Sequence, residues 1–201
     1  MNSVLAGKAI EIARKTGAER VLHLSSAAVY SATDAPMKEG DETQPGRAYG
    51  QAKCDMERRI SEQPEPPKSC ALRLANVAGV DSLFRALDGA EKMIIDQFDS
   101  GFGPQRSYIA VPELAKVIES LVNCDATTLP NVLNVAATDS VDMSDIARAA
   151  GRTFEWCPAR AGAVARHVLD TERLQGLVTL PEHASDARHL VDSWRRYGGW
   201  A

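Results

Sequence analysis

The spacing of apolar residues in the first part of the chain predicts a helix followed by a buried strand. Over residues 3–17 apolar side chains recur at helical spacing, with Asn2 or Ser3 available as an N-cap and Gly17 as a terminator. The side chains expected on the stripe that packs on a sheet are Leu5, Ala9, Ile12 and Ala13. The short apolar run at residues 21–24 predicts a strand that is buried on both faces, as parallel strands are.

A second helix and a second strand follow across a loop and a proline-rich connection. Glycines and prolines among acidic residues mark residues 31–46 as a surface loop. A helix is predicted over 47–61, and the segment 63–67, which contains three prolines, connects it to a buried strand at 70–74. This alternation of helices and strands predicts an α/β fold built on a parallel sheet.

The remaining chain carries weaker patterns of the same two kinds. Residues 81–103 are poorly patterned apart from a short strand at Ile94 and Ile95. A strand beginning at Arg106 then enters a helix, whose first turn is compatible with Pro112. Further predicted elements are that helix at 113–122, a strand at 132–135, a helix at 142–150 announced by Asp139 or Ser140, a strand at 154–157 and a closing helix at 183–197.

Composition narrows the function classes. The chain has 201 residues, a formal net charge of -4 and no basic block, so it shows no footprint for nucleic acid and a small polar substrate is expected instead. The four cysteines and four histidines lie too far apart for a metal site or a disulfide framework. No apolar run approaches the ~20 residues of a membrane span, so a soluble protein without membrane contact is expected, and the unpaired spacing of the cysteines fits a reducing cytoplasm.

Tyr49 and Lys53 are the first candidates for chemistry. Four residues apart on the predicted helix, they lie on the same face within reach of one ligand. An ammonium beside a phenol favours the phenolate, so the pair could move a proton at neutral pH. By spacing alone such a pair more often lies on a solvated helix face.

Two segments give this pair a context. The strand and serine pair at residues 21–30 (VLHLSSAAVY) and the segment AYGQAK at 48–53 resemble the extended short-chain dehydrogenase/reductase family, whose members include NAD-dependent epimerases and dehydratases. The resemblance implies that Ser26 orients the substrate oxygen and that Tyr49 donates or accepts the proton. It also implies that Lys53 holds the nicotinamide ribose of NAD or NADP while tuning Tyr49.

The same resemblance extends to two later segments. In LRLANVAG at residues 72–79 it implies that Leu74 and Ala75 touch the cofactor and that Asn76 touches substrate; the alternative is that Asn76 and Gly79 only shape a turn. In RSYIAVPELA at 106–115 it implies that Arg106 meets a substrate phosphate, which a guanidinium fork suits. A structural salt bridge at the surface is the alternative for this arginine.

The resemblance also implies a domain organisation and a missing part. Residues 1–80 would form the remaining Rossmann-like portion with the Ser, Tyr and Lys site, and 81–201 a small α+β substrate region, with 106–136 returning to the Rossmann sheet. No strand leads into a glycine-rich turn, so the adenosine and pyrophosphate half of the cofactor site is expected to be absent. The strand at 21–24 would then lie at a bare sheet edge. We expect an incomplete gene model, a fragment or an N-terminally truncated relative.

Two functions follow as hypotheses. The first is an NAD(P)-dependent epimerase, dehydratase or reductase that acts on a sugar-like or hydroxy/keto substrate by hydride transfer, with Tyr49 as acid or base. The second is a non-catalytic remnant of that family that binds a ligand or a partner. By itself the chain is expected to be inactive, and a homodimer is compatible with either hypothesis.

Overall fold

The computed structural model describes residues 2–31, 33, 35–89 and 92–197, which form both helices and strands. The helices are α1 (Asn2–Thr16), α2 (Ala48–Ser61), α3 (Ser82–Asp88), α4 (Val111–Asn123), α5 (Met143–Ala149), α6 (Glu172–Gln175) and α7 (Ala187–Tyr197). The strands are β1 (Arg20–Ser26), β2 (Lys68–Leu74), β3 (Asn76–Val77), β4 (Met93–Gln97), β5 (Gln105–Ile109), β6 (Val132–Val135), β7 (Ser140–Asp142), β8 (Phe154–Pro158) and β9 (Arg166–His167). The predicted α/β class is confirmed, as are the strands expected near 70–74, 94–95, 132–135 and 154–157.

The main sheet is parallel and has the order β1-β2-β6. Among the described strands β1 pairs only with β2, so it lies at the sheet edge, as expected. The prediction that β1 is buried on both faces is wrong. His23 and Ser25 are buried, but Leu24 on the opposite face is 53% exposed, because the described elements cover that face only in part.

The helix α1 has the predicted extent but a different buried face. It packs on α2, where Ala6 and Ile10 meet Met56 and Ile60. Of the predicted stripe only Ala13 is buried, whereas Leu5 and Ile12 are 56% and 61% exposed. The prediction failed because α1 makes most of its contacts with a helix rather than with the sheet, and small side chains allow that close approach. Asn2 and Ser3 both lie inside the helix and do not cap it.

The described residues also form two smaller sheets. In one, β5 pairs in parallel with β3 and β9 and antiparallel with β7; in the other, β4 pairs in parallel with β8. The cap of α5 is Asp142, whose carboxylate accepts from the backbone N–H of Ser144, and not Asp139 or Ser140 as predicted, because Ser140 lies in β7. None of the helices within the described residues is long and apolar enough to cross a membrane.

Candidate functional site

The turn after β1 is built around Ser26. This serine ends the strand, and its Oγ accepts a hydrogen bond of 3.2 Å from the backbone N–H of Ala28, which starts a 3-10 turn at Ala27–Val29. A serine at such a position satisfies an otherwise free N–H and keeps its own hydroxyl at the end of the strand. Ser26 also lines the cleft described below.

The helix α2 packs tightly on this turn. A Cβ at Gly50 would lie 3.0 Å from the carbonyl carbon of Ala28 and 2.7 Å from Cβ of Pro45, so only glycine permits the contact. Through this contact the first turn of α2, which carries Tyr49, lies directly beside the Ser26 turn.

Tyr49 and Lys53 share a helix face, as their spacing predicts. The Lys53 ammonium is 5.7 Å from the centroid of the Tyr49 ring, within the range of a cation–π contact. Lys53 Nζ also donates a hydrogen bond of 2.6 Å to the backbone carbonyl of Leu24 in β1. Tyr49 itself is 57% exposed, so its phenol is open to a ligand.

A cleft of about 630 Å³ opens where β1 and β2 end and β3 begins. Five of the residues singled out from the sequence line it, and these are Ser26, Leu74, Ala75, Asn76 and Arg106. Tyr49 and Lys53 are not among its lining residues. They lie beside it on α2, whose N-cap residue Arg47 does line the cleft.

Asn76 and Arg106 are held by neighbouring strands. Asn76 lies in β3 opposite Tyr108 of β5, so the turn forms later, at Gly79, which has a positive φ of 94°. Arg106 donates hydrogen bonds to the backbone carbonyls of Val164 (2.8 Å) and Ala165 (3.3 Å). No described acid lies within salt-bridge distance of Arg106, so the alternative of a surface ion pair is not observed.

The sequence reasoning missed two basic side chains that line the cleft, Arg47 and His167. Burial lowers the pKa of His167, the positive charge of Arg106 lowers it further, and a hydrogen bond to the Tyr30 backbone acts in the opposite direction. Burial also lowers the pKa of Arg106, so an anion would stabilise this partly desolvated guanidinium. Since none of the described lining residues is Asp or Glu, the cleft is suited to a negatively charged ligand.

In the described part of the chain, no three His, Cys, Asp or Glu side chains are placed to hold a metal ion. A dinucleotide phosphate site is likewise not seen there, because none of the described strands leads through a glycine-rich turn into a helix. The site therefore consists of a cationic cleft at the strand ends and a Tyr–Lys pair beside it.

The chain was compared with models of protein families, with curated protein sequences and with solved structures. The family model described as "NAD dependent epimerase/dehydratase family" matches residues 1–136. No curated protein sequence matches the chain.

Solved structures share the fold at low sequence identity. The UDP-Glc/GlcNAc 4-epimerase from Campylobacter jejuni is 21% identical with a TM-score of 0.80, over 100% of this chain and 70% of that one. The UDP-N-acetylglucosamine 4-epimerase from Methanobrevibacter ruminantium, in complex with UDP-N-acetylmuramic acid, is 21% identical with a TM-score of 0.76, over 97% and 69%. The enzyme WbmG from Bordetella bronchiseptica, in complex with NAD and UDP, is 18% identical with a TM-score of 0.75, over 98% and 66%.

Proposed function

Since the chain belongs to the NAD dependent epimerase/dehydratase family, we propose that it carries the substrate side of an NAD(P)-dependent hydride-transfer site for a sugar-like or hydroxy/keto substrate. The observation that carries the proposal is the convergence of Ser26, Asn76 and Arg106 in one cleft, with Tyr49 and Lys53 on the adjoining helix turn. In this arrangement polar groups from three separate elements would face one ligand bound in the cleft.

The proposed roles follow from the chemistry of each group. The Ser26 hydroxyl, fixed at the end of β1, hydrogen-bonds the reacting oxygen of the substrate. The exposed Tyr49 phenol gives a proton to that oxygen or takes one from it, and the Lys53 ammonium stabilises the phenolate form. The cofactor, when bound, supplies or accepts the hydride.

The described residues fit one end of that cofactor. Leu74 and Ala75 line the cleft at the end of β2 and would contact the nicotinamide, and Lys53 retains donors for ribose hydroxyls besides the one bonded to Leu24. None of the described residues forms a glycine-rich turn that could bind the pyrophosphate. We propose that the contacts to the pyrophosphate come from outside the described residues. NAD is favoured over NADP only through the family description.

The proposed substrate is a nucleotide sugar. Two arginines and no acid among the described lining residues suit a phosphate group, and Arg106 presents a partly buried guanidinium without an ion-pair partner there. Neighbouring structures support this choice, because those from Methanobrevibacter ruminantium and Bordetella bronchiseptica contain UDP-N-acetylmuramic acid and UDP, respectively.

One observation favours the second candidate function, a non-catalytic remnant that binds a ligand. Tyr49 and Lys53 lie beside the cleft rather than in it, and the Lys53 ammonium is already bonded to the Leu24 carbonyl. A remnant would keep the anion-binding cleft through Arg106 and would not depend on the tyrosine.

The test removes one oxygen. The DNA upstream of the Met1 codon is read first, since an in-frame glycine-rich strand–turn–helix would supply the complete enzyme to assay. In the cofactor-loaded enzyme, turnover of a panel of UDP-sugars is measured for the wild type, for Tyr49→Phe and for the control Tyr197→Phe. The Tyr49 variant should lose about 10²- to 10⁴-fold in turnover, whereas the control in α7 should lose none.

Equal turnover in the wild type and Tyr49→Phe would refute the assignment of the proton-transfer group. Binding of UDP-sugars without turnover in the cofactor-loaded protein would support the remnant instead.

A further inference from the structure

A charged residue lies inside the main sheet, next to the site. Arg73 of β2 is only 5% exposed, and its side chain forms a fork with Glu57 of α2. Arg73 Nη2 donates to Glu57 Oε2 at 2.7 Å, and Nε donates to both carboxylate oxygens at 3.1 and 3.2 Å. Burial alone would lower the pKa of Arg73, but the hydrogen bond and the charge of Glu57 outweigh it and raise that pKa.

The ion pair is completed by neutral polar groups. Ser25 Oγ donates to Glu57 Oε1, and Arg73 Nη1 donates to the Tyr30 hydroxyl at 2.6 Å. The Tyr30 hydroxyl in turn donates to Asn134 Oδ1 of β6 at 2.9 Å. This network therefore joins α2 to β1, β2 and β6 with each buried group hydrogen-bonded.

Four members of the network lie in the cleft or close in the chain to a residue of the proposed site. Ser25 precedes Ser26, Arg73 precedes Leu74, and Tyr30 itself lines the cleft. Glu57 follows Lys53 by one helical turn and Tyr49 by two, so it lies on the same side of α2. A small rotation or sliding of α2 would therefore require these bonds to break.

Stability alone does not explain such a pair. Removing two charges from water costs several kcal/mol per ion, and apolar residues of similar volume often stabilise a fold equally well or better. A forked ion pair differs from an apolar contact because its hydrogen bonds fix direction as well as distance. Apolar packing would hold α2 against the sheet, whereas the fork also selects one rotation and one register of the helix.

We propose that Glu57 and Arg73 are positioning residues, which hold α2 in the one orientation that places Tyr49 and Lys53 against Ser26. This inference rests on the proposed function for the meaning of that orientation. The orientation itself has a direct reporter in the 201-residue chain, because the Lys53 ammonium is bonded to the Leu24 carbonyl of β1.

The test follows the reactivity of Lys53. The rate at which a small acylating reagent modifies Lys53 under native conditions is measured by mass spectrometry, relative to the exposed Lys15 of α1. Glu57→Gln should raise the relative rate about tenfold or more, and Ser25→Ala, which removes one bond to the same carboxylate, should raise it less.

The matched control is Glu113→Gln. Glu113 is also a buried carboxylate, 6% exposed, but it joins α4 to His189 of α7 at 3.0 Å, away from α2. The Glu113→Gln variant should lower the unfolding midpoint without changing the reactivity of Lys53.

A double variant separates positioning from stability. Glu57→Leu combined with Arg73→Met replaces the pair by apolar side chains and should restore much of the stability lost in Glu57→Gln. High Lys53 reactivity in this stable protein would support the proposal. Wild-type reactivity there, or in both Glu57→Gln and Ser25→Ala, would overturn it and show that packing alone orients α2.

These outcomes are independent of the proposed function. A harmless Tyr49→Phe change would end the catalytic assignment whatever Lys53 reactivity shows. Wild-type Lys53 reactivity in both Glu57→Gln and Ser25→Ala would end the positioning role even if Tyr49 proves essential.

Discussion

Gly50 offers the sharpest test of how α2 meets the strand end. Replacing it by alanine adds one Cβ, which would lie 2.7 Å from Pro45 Cβ, 3.0 Å from the carbonyl carbon of Ala28 and closer still to its oxygen. Cβ atoms essentially never approach other heavy atoms closer than 3.0 Å, so α2 and the turn would have to separate by roughly 1 Å.

The magnitude can be isolated with a second glycine. Gly7 in α1 has only the Arg59 side chain within reach of an added Cβ, at 3.9 Å, so Gly7→Ala should stabilise the protein by about 0.5–1 kcal/mol through helix propensity. Gly50→Ala gains a similar term but adds overpacking of about 1–3 kcal/mol. The difference between the two variants therefore reports the close contact itself, about 1–3 kcal/mol.

Urea unfolding followed by far-ultraviolet circular dichroism measures both changes on one scale. Gly50→Ala should unfold at lower urea than the wild type, and Gly7→Ala at higher urea, with equal slopes. In the cofactor-loaded enzyme a 1 Å displacement of Tyr49 should also cost about 10²-fold in turnover, with Gly7→Ala unaffected. If Gly50→Ala proved as stable as Gly7→Ala, the packing of α2 on the Ser26 turn described above would be wrong.

Three further outcomes are expected. Arg106→Gln should weaken UDP binding by about 10- to 100-fold in calorimetry, because a charged hydrogen bond contributes about 1.5–3 kcal/mol. The control variant Arg188→Gln, at an exposed arginine, should bind UDP as the wild type does. If Arg106→Gln and the wild type bound UDP equally well, Arg106 would not belong to the ligand site. The 201-residue chain should show no calorimetric NAD⁺ binding at micromolar concentration, because its described residues form no glycine-rich turn to bind the pyrophosphate. Micromolar affinity together with a doubled molecular mass in solution would indicate that a second subunit contributes to the cofactor site. Burial lowers the pKa of His23, so below pH ~6.5 the unfolded chain binds more protons than the fold, which loses up to about 1.4 kcal/mol per pH unit from this group until the folded-state pKa is passed. His23→Leu should reduce the loss of stability between pH ~7 and ~5, with the remainder coming from His167, whose pKa is also lowered; an unchanged acid limb of the stability curve would contradict the burial effect.

The sequence by itself was sufficient for features that depend on neighbours along the chain. The spacing of apolar residues and the positions of glycine and proline located α2 and β2. The four-residue spacing of Tyr49 and Lys53 placed them on one helix face, as the structure shows. These features follow from local sterics and hydrogen bonding, which a window of a few residues contains. Gly50 belongs to a motif that is visible in the sequence. The close contact with the Ala28 backbone, which requires a glycine at this position, could not be predicted from the sequence.

The tertiary structure decided what those elements meet. Periodicity gave α1 an apolar stripe, but the helix buries Ala6 and Ile10 because its main neighbour is another helix. The tertiary structure also places His167 in the same cleft as Ser26, although the two residues lie far apart in the chain. Arg73 was visible in the sequence as a charge within an apolar strand, yet its partner Glu57 belongs to a different element. Pairing of buried charges depends on which surfaces pack together, and that choice is made by long-range contacts across the whole fold rather than by the local pattern.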